Sequence, residues 1–242
     1  KDKMVIETIN TIDELDKSIN TLFEKVRDWY GIHFPELQRV IDEPTKYLKI
    51  VGKLGRRENF TKSRLEEIGI PEEDAERIEK ESQDSIGADF NETDIETIQM
   101  NVEKIRGLEK AREKNSDYIE TLMEEVAPNI KKLVGSLIGA RLISIAGGLE
   151  DLAKMPASTV QMLGAEKALF RYLRGNGTPP KHGILFEHDF VRPLPNDERG
   201  KMARFIANKS VMAARLDNYG DKDKGEQLRE DARQKFEELK EE

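Results

Sequence analysis

Apolar residues recur at three- and four-residue steps along the first thirty positions, with mostly charged residues between them. They are Val5, Ile9, Ile12, Leu15, Ile19, Leu22, Val26 and Trp29. From Ile12 onward the three–four alternation is strict, which is the heptad spacing of a coiled-coil seam. The stretch WYGIHFPEL (29–37) interrupts the pattern. We expect Gly31 to end the first helix and Pro35 to take the first position of the next.

A second long seam follows after a polar stretch at 55–82. Its members are Ile95, Ile98, Val102, Ile105, Leu108, Ile119, Leu122 and Val126. They predict a helix from about 92 to 126, roughly 50 Å long. Leu37 to Leu54 continue the apolar pattern of the first seam on a second helix. Two seams joined by a polar tip predict an antiparallel coiled coil, and such seams also pair with a second chain.

The section after Pro128 is more compact and richer in glycine. Its apolar stretch LVGSLIGARLISIAGGL (133–149) is short for a membrane span and carries Arg141 at its centre. We interpret 131–146 as one buried core helix whose small residues admit a close neighbour, and we expect no membrane contact. Ser158 and Asp197 are plausible N-caps of later helices. The end, from Glu226, is a charged helix.

The predicted fold class is therefore all-α. A long antiparallel coiled-coil domain occupies 1–127, a compact α-helical domain occupies 128–225, and a charged C-terminal helix or tail occupies 226–242.

Composition narrows the function. The 242 residues carry a formal net charge of -8 and contain no cysteine, which excludes disulfides, thiolate metal sites and cysteine nucleophiles. The charge is uneven, because residues 164–218 carry +4 and the remainder -12. An acidic chain with one basic segment indicates a localised polyanion site.

Two helices of this segment concentrate the cations. Lys201, Arg204, Asn208 and Arg215 fall within roughly 60° of one helix face, and that face is either simply solvated or binds phosphate. Lys209 falls among the apolar angles, so its side chain either extends to solvent or reaches a partner. In GAEKALFRYLR (164–174) the cations Lys167, Arg171 and Arg174 form one stripe, and Leu169, Tyr172 and Leu173 can face inward.

Motifs for catalysis are missing from the sequence. Neither GxxxxGK[ST] nor GxGxxG occurs, and there is no nucleophile elbow. His182, His188 and Asp189 lack the spacing of a metal site. We therefore expect neither an enzyme nor a bound cofactor.

Four stretches together resemble the Nop family, over nearly the whole chain. They are DWYGIHFPEL (28–37), GAEKALFRYL (164–173), PPKHGILF (179–186) and RGKMARFIANKSVMAARLDNYG (199–220). In that order and spacing they look closest to the archaeal core protein of box C/D small RNPs. Eukaryotic relatives are the nucleolar Nop proteins and, more distantly, a spliceosomal tri-snRNP factor.

The resemblance implies a scaffold for RNA-guided 2′-O-methylation. The coiled coil would dimerise two copies, here through Ile95, Ile98, Val102 and Ile105. The Nop domain would bind a composite surface of a kink-turn guide RNA and its kink-turn-binding protein. Fibrillarin, the methyltransferase, would bind an N-terminal domain that we expect to be missing from this sequence. The protein would be cytoplasmic in an archaeon and nucleolar in a eukaryote.

The resemblance also implies roles for residues. The implied RNA contacts are Lys167, Arg171, Lys181, His182, Arg192, Lys201, Arg204, Asn208 and Arg215. The implied contacts to the kink-turn-binding protein are Gly164, Ala165, Glu166, Ile184 and Lys209. In PPKHGILFEHDFVRPLP (179–195) the prolines disfavour helix, and Ile184, Leu185, Phe186, Phe190 and Val191 can anchor the stretch. His182 can then stack on a base or bond a phosphate.

Three alternatives remain open at this point. The chain could be a coiled-coil adaptor that binds only protein, or a spliceosomal-type relative that binds an snRNA kink-turn complex. It could also be a metal-dependent hydrolase that uses His182 and His188.

Overall fold

The computed structural model describes residues 1–220 and 222–241. These residues form helices and connecting turns, with no strand among them. The helices are α1 (Asp2–His33), α2 (Leu37–Val40), α3 (Pro44–Leu54), α4 (Lys62–Glu67), α5 (Glu72–Gln83), α6 (Glu92–Val126), α7 (Pro128–Val134), α8 (Ser136–Ala146), α9 (Leu149–Lys154), α10 (Ala157–Met162), α11 (Glu166–Leu173), α12 (Asn196–Tyr219) and α13 (Gly225–Glu241), with short 3₁₀ turns at Arg57–Asn59 and Ile184–Glu187. The all-α prediction is confirmed, and α6 has the predicted bounds. Glu242, the last residue of the predicted tail, lies outside the described residues.

Two helix boundaries differ from their predictions, and both concern a glycine. Helix α1 continues through Gly31, and it ends at His33, where Phe34 turns into the core ahead of Pro35. Pro35 starts no helix. The predicted single helix at 131–146 is divided at Gly135, whose φ of 83° is left-handed and breaks the helical path.

Prolines account for the other boundary errors. The helix predicted over 37–54 is divided before Pro44, which begins α3. Ser158 and Asp197 are not N-caps. Pro156 and Pro195 hold those places in extended conformation, so α10 and α12 begin two residues earlier than the predicted caps imply.

The chain divides into two compact units, which we call the 13–113 unit and the split unit (residues 1–12 and 114–242). These units do not follow the predicted boundaries at 127 and 225. In the split unit, Val5, Ile9 and Ile12 share one core with Ile119, and α13 packs on α7 and α12. The division into a dimerisation domain, an RNP-binding domain and a tail stays a prediction.

Helices α1 and α6 run antiparallel in both units. Within the split unit Lys1 pairs with Glu125 at 2.6 Å. Within the 13–113 unit Asp16 pairs with Arg112 at 2.9 Å. The first seam departs from its prediction at one end, because Trp29 is 39% exposed and Tyr30 is buried in its place.

The four residues predicted to dimerise the chain lie in the core of the 13–113 unit. Ile95, Ile98, Val102 and Ile105 are at most 5% exposed. Gly52 of α3 comes so close that a Cβ there would lie 2.9 Å from Val102 Cγ1. The chain's own helices therefore fill this seam, and the contacts give no support to dimerisation through these side chains.

Helix α8 contributes one buried face to the core of the split unit. Leu142 and Ile143 are fully buried, and a Cβ at Gly139 would lie 2.7 Å from Ile130 of α7. Arg141 reaches Glu187 at 2.8 Å. Among the described residues, no helix has both the length and the apolar character needed to cross a bilayer.

Candidate nucleic-acid interface

Two predicted stretches of the split unit meet through their backbones. The amide of Gly183 donates to Gln161 O at 2.9 Å, and the amide of Ile184 donates to Leu163 O at 2.9 Å. We call this contact the backbone junction. It brings the GAEK stretch beside PPKHGILF, which are separate in sequence.

Gly164 is required at the backbone junction for two reasons. Its φ is +82°, a conformation that side chains rarely adopt, and an added Cβ would lie 2.3 Å from Ile184 Cγ2. The Glu166 carboxylate accepts a hydrogen bond from the Gly164 amide at 2.8 Å. Gly164, Glu166 and Ile184 thus stabilise this turn, next to half-buried Ala165. Their predicted contact with a protein partner is a separate role and stays a prediction.

Helix α11 displays its cations to solvent. Lys167, Arg171 and Arg174 are exposed. The prediction that Tyr172 and Leu173 face inward is wrong, because they are 42% and 68% exposed. Helix α11 has no buried residue, so both apolar and cationic side chains are available on it.

A groove of about 610 Å³ lies beside α11. Its walls are Ala168 and Arg171 of α11, the turn at 176–182, and the first residues of α12. Three of the predicted RNA contacts, Arg171, Lys181 and His182, therefore line one concavity. The Lys181 ammonium lies 3.8 Å from Asp197, in an exposed pair.

His182 presents a neutral, stacked imidazole. Its ring lies against Phe186 with 4.8 Å between centroids and 23° between planes. Arg199 covers Phe186 at 5.3 Å. Partial burial lowers the pKa of His182, and the nearby Arg199 and Lys181 charges lower it further. The ring can therefore stack and exchange hydrogen bonds without carrying charge at neutral pH.

Helix α12 exposes the predicted polar face, although its members differ in their partners. Lys201 pairs with Glu198 at 2.9 Å, and Asn208 donates to Arg204 O at 2.9 Å. Arg215 donates through Nε to Ala153 O at 3.0 Å. Within the described ranges, the exposed Arg204 guanidinium has neither an ion pair nor a hydrogen bond, so it is the most available cation of this helix.

Lys209 has a partner within the chain. Its ammonium lies 2.6 Å from the Asp231 carboxylate of α13 and 5.3 Å from the centroid of Phe205, and its side chain is only 17% exposed. This pair holds α13 on α12. The predicted contact of Lys209 with a second protein finds no support in these contacts, because the chain itself covers the charge.

Arg192 is exposed directly after Val191, in a stretch that two buried residues anchor. Leu185 and Val191 are fully buried, which confirms that the stretch 179–195 is fixed to the core by its apolar residues. The Arg192 side chain has no ion pair or hydrogen bond to any residue of 1–220 or 222–241. It does not line the groove.

His188 has a role that the sequence does not predict. It is 2% exposed, its Nδ1 accepts the Phe190 amide at 3.0 Å, and its Nε2 donates to Leu133 O at 3.1 Å. Both nitrogens are therefore occupied, which leaves no lone pair for a metal and argues against the hydrolase alternative. Among the described residues no group of three His, Cys, Asp or Glu could hold a metal ion.

The burial of His188 makes stability depend on pH. Burial lowers the pKa of His188, so below pH 6.5 the unfolded chain binds a proton that the folded chain refuses. The free energy of unfolding should therefore fall as pH drops. Between about pH 7.5 and 5.5, the chain should lose about 1 kcal/mol more than a His188→Gln variant. Urea titrations at both pH values measure this difference.

Glutamine suits the comparison because it can also donate and accept hydrogen bonds but does not titrate. His33 in the other unit is also buried with a lowered pKa, and it contributes equally to both proteins. Equal pH dependence of the two proteins would contradict the assignment to His188.

Comparison with known proteins adds a family match. Residues 11–238 match the family model described as Nop: snoRNA binding domain, fibrillarin. The chain is 47% identical over 221 residues to an uncharacterized NOP5 family protein of Methanocaldococcus jannaschii, covering 91% of this chain and 53% of that protein. It is 41% identical over 222 residues to nucleolar protein 58 of Mycosarcoma maydis, covering 92% and 38%.

A solved structure is similar as well. The chain resembles a chain of a fibrillarin/Nop5p complex with a TM-score of 0.56 and 30% identity, over 98% of this chain and 69% of that one. The chain thus spans about half the length of the NOP5 relative, and 38% of the length of nucleolar protein 58.

Proposed function

Because the chain belongs to the Nop family, we propose that it is a scaffold of box C/D small RNPs that guide RNA 2′-O-methylation. In this role residues 128–225 bind a kink-turn guide RNA together with its kink-turn-binding protein. Methyl transfer belongs to fibrillarin, so the chain needs no cofactor and catalyses no reaction. The scaffold acts in the nucleolus of a eukaryote or the cytoplasm of an archaeon.

The groove beside α11 is the observation that carries this proposal. Arg171, Lys181 and His182 supply two cations and a stacking ring within one concavity. These side chains fit phosphates and an unpaired base. RNA-binding proteins stack bases on aromatic or imidazole rings, and their cations neutralise the phosphate backbone. The exposed Arg204 extends the same chemistry along α12, and Lys167, Lys201, Asn208 and Arg215 provide the outer contacts.

The apolar side chains of α11 support a composite partner. Phe170 and Leu173 are 61% and 68% exposed beside the cations of the same helix. A phosphate backbone gains little from such side chains, whereas a protein surface buries them. RNA and its bound protein together therefore account for both kinds of side chain better than RNA alone.

We further propose that the long helices bring two copies together. The buried seam is occupied within the chain, so a second copy would contact outward residues instead. Met100 on α6 and Tyr118 further along it are 53% and 41% exposed and offer apolar contact area.

Removal of one groove cation and one exposed cation of α12 should weaken RNP assembly. We expect Arg171→Ala with Arg204→Ala to lower affinity for the RNA–protein complex by roughly 10- to 100-fold. The slope of log affinity against log salt should shrink by about 1.4 to 1.8, since each lost phosphate contact removes about 0.7 to 0.9. Fluorescence anisotropy with labelled box C/D RNA at several salt concentrations measures both quantities.

Arg77→Ala with Arg233→Ala is the matched control. Both arginines are exposed, the charge change is the same, and neither lines the groove. Equal affinity of the two double variants for the RNA–protein complex would contradict the assignment of RNA binding to Arg171 and Arg204. Binding that requires neither RNA nor cations would favour the protein-only adaptor, and preference for an snRNA kink turn would favour the spliceosomal-type relative.

A further inference from the structure

A second basic segment lies in the 13–113 unit. Residues 44–64 contain seven lysines and arginines and one glutamate, for a formal charge of +6. The net charge of -12 outside residues 164–218 hides this second basic segment. The segment covers α3, the following turn and the start of α4.

Helix α3 divides sharply into two faces. Tyr47, Leu48, Ile50 and Val51 are buried against the core. Lys46, Lys49 and Lys53 fall within roughly 60° of each other on the outer side. They span about 10 Å along the axis. Arg56 follows in an extended turn after Gly55 and is also exposed.

The other basic residues of the segment already have partners within the chain. Arg57 bonds Asp89, Lys62 bonds Glu72 at 2.5 Å and Glu76 at 2.7 Å, and Arg64 bonds Asn59 at 2.6 Å. Lys46 pairs with Glu43 at 3.0 Å in an exposed pair, which is a weak interaction.

Three cations of α3 and its turn remain available. Lys49, Lys53 and Arg56 bond no residue in the described part of the chain. Lys62 already neutralises two of the acids of α5.

We propose that Lys46, Lys49, Lys53 and Arg56, the α3 cation row, bind the phosphate backbone of RNA as a second site in addition to the groove. The choice of RNA rests on the proposed function and on the composition of the row. No large hydrophobic side chain within 44–64 is exposed. Protein interfaces depend on apolar and aromatic anchors at their centre, whereas phosphate contacts need only cations. An acidic protein segment would find no anchor here.

The test compares two triple variants of the full chain. Lys46→Gln/Lys49→Gln/Lys53→Gln removes the three lysines of the row. Lys25→Gln/Lys104→Gln/Lys110→Gln makes the same charge change at exposed lysines of the long helices. Each is titrated against two probes bound to the kink-turn-binding protein. One probe is a minimal kink-turn RNA, and the other is a full-length box C/D guide RNA.

The row variant should bind the full-length RNA roughly 10- to 100-fold more weakly, with a salt slope smaller by about 2 to 3. Its affinity for the minimal kink turn should match the wild type, and the control variant should match the wild type on both probes. Equal affinities of the two variants for the full-length RNA would overturn the second site.

The two proposals fail in distinguishable ways. If the wild type binds neither RNA, the proposed function fails and the row with it. A second outcome is that the variant Arg171→Ala with Arg204→Ala loses affinity for the minimal kink turn while the row variant binds both probes like the wild type. In that case only the second site fails. Crosslinking of the row to the kink-turn-binding protein, with RNA affinity unchanged in the row variant, would show that this surface binds protein. That result would also overturn the proposal.

Discussion

Replacement of Ile98 and Val102 by aspartate is expected to unfold the 13–113 unit. Both side chains are fully buried, and Val102 packs against Gly52 with no room for water. Two carboxylates there would have no cation or hydrogen-bond donor. A buried, unpaired charge costs several kcal/mol, so two cost about as much as the roughly 5–15 kcal/mol that stabilises a typical domain. Circular dichroism should show a large loss of helix at 25 °C, since the tip helices depend on this core.

Gly107→Asp is the matched control on the same helix. Gly107 is exposed and an added Cβ there meets no atom within 4 Å, so we expect a change in unfolding free energy within about 0.5 kcal/mol. Light scattering of the double variant then separates the two interpretations of the seam. A variant that keeps its helix content and loses only its dimeric mass would assign these residues to a dimer interface and contradict the intrachain core.

A single methyl group at Gly183 should open the backbone junction. The Cβ of Gly183→Ala would lie 1.8 Å from Leu163 O, a backbone atom that cannot turn away. The two hydrogen bonds of the junction must lengthen or break. We expect a loss of about 2–4 kcal/mol in the stability of the split unit. RNA affinity should fall with it, because Lys181 and His182 directly precede the displaced residue. Urea unfolding and anisotropy measure the two effects.

Gly200→Ala provides the comparison within the same unit. An added Cβ there makes an ordinary 3.5 Å contact with Lys181 in the interior of α12. Alanine is favoured over glycine in a helix, so stability should rise by about 0.5–1 kcal/mol. If Gly183→Ala unfolds like the wild type and binds RNA equally well, the junction does not position the groove.

Long periodic segments were the predictable part of the fold. Helix α6 matched in both bounds because its apolar residues return to the same face after the gap between Leu108 and Ile119, and Pro128 follows its end. Gly31 and Gly135 show the limit of that reasoning. Both are glycines in helical surroundings, yet one lies inside a helix and the other ends one. The difference depends on packing that local sequence does not encode.

The candidate site was predictable as a set of residues but not as a set of contacts. The helical angle of Lys209 left two possibilities open, and its partner Asp231 lies on another helix, 22 residues away. The amphipathic spacing of Tyr172 and Leu173 predicts an inward position, but both are exposed, since α11 buries none of its residues. His188 could be assigned only after its backbone partners Leu133 and Phe190 were located.

The division of the split unit between the two ends of the chain has a consequence for synthesis. Residues 13–113 are contiguous and can fold once they leave the ribosome. Val5, Ile9 and Ile12 must wait for residues 114–241 before their core can form. At about 5–20 residues per second, that delay lasts roughly 6 to 26 seconds. During it Val5, Ile9 and Ile12 stay exposed to water, and slower translation of residues 114–241 would lengthen that exposure.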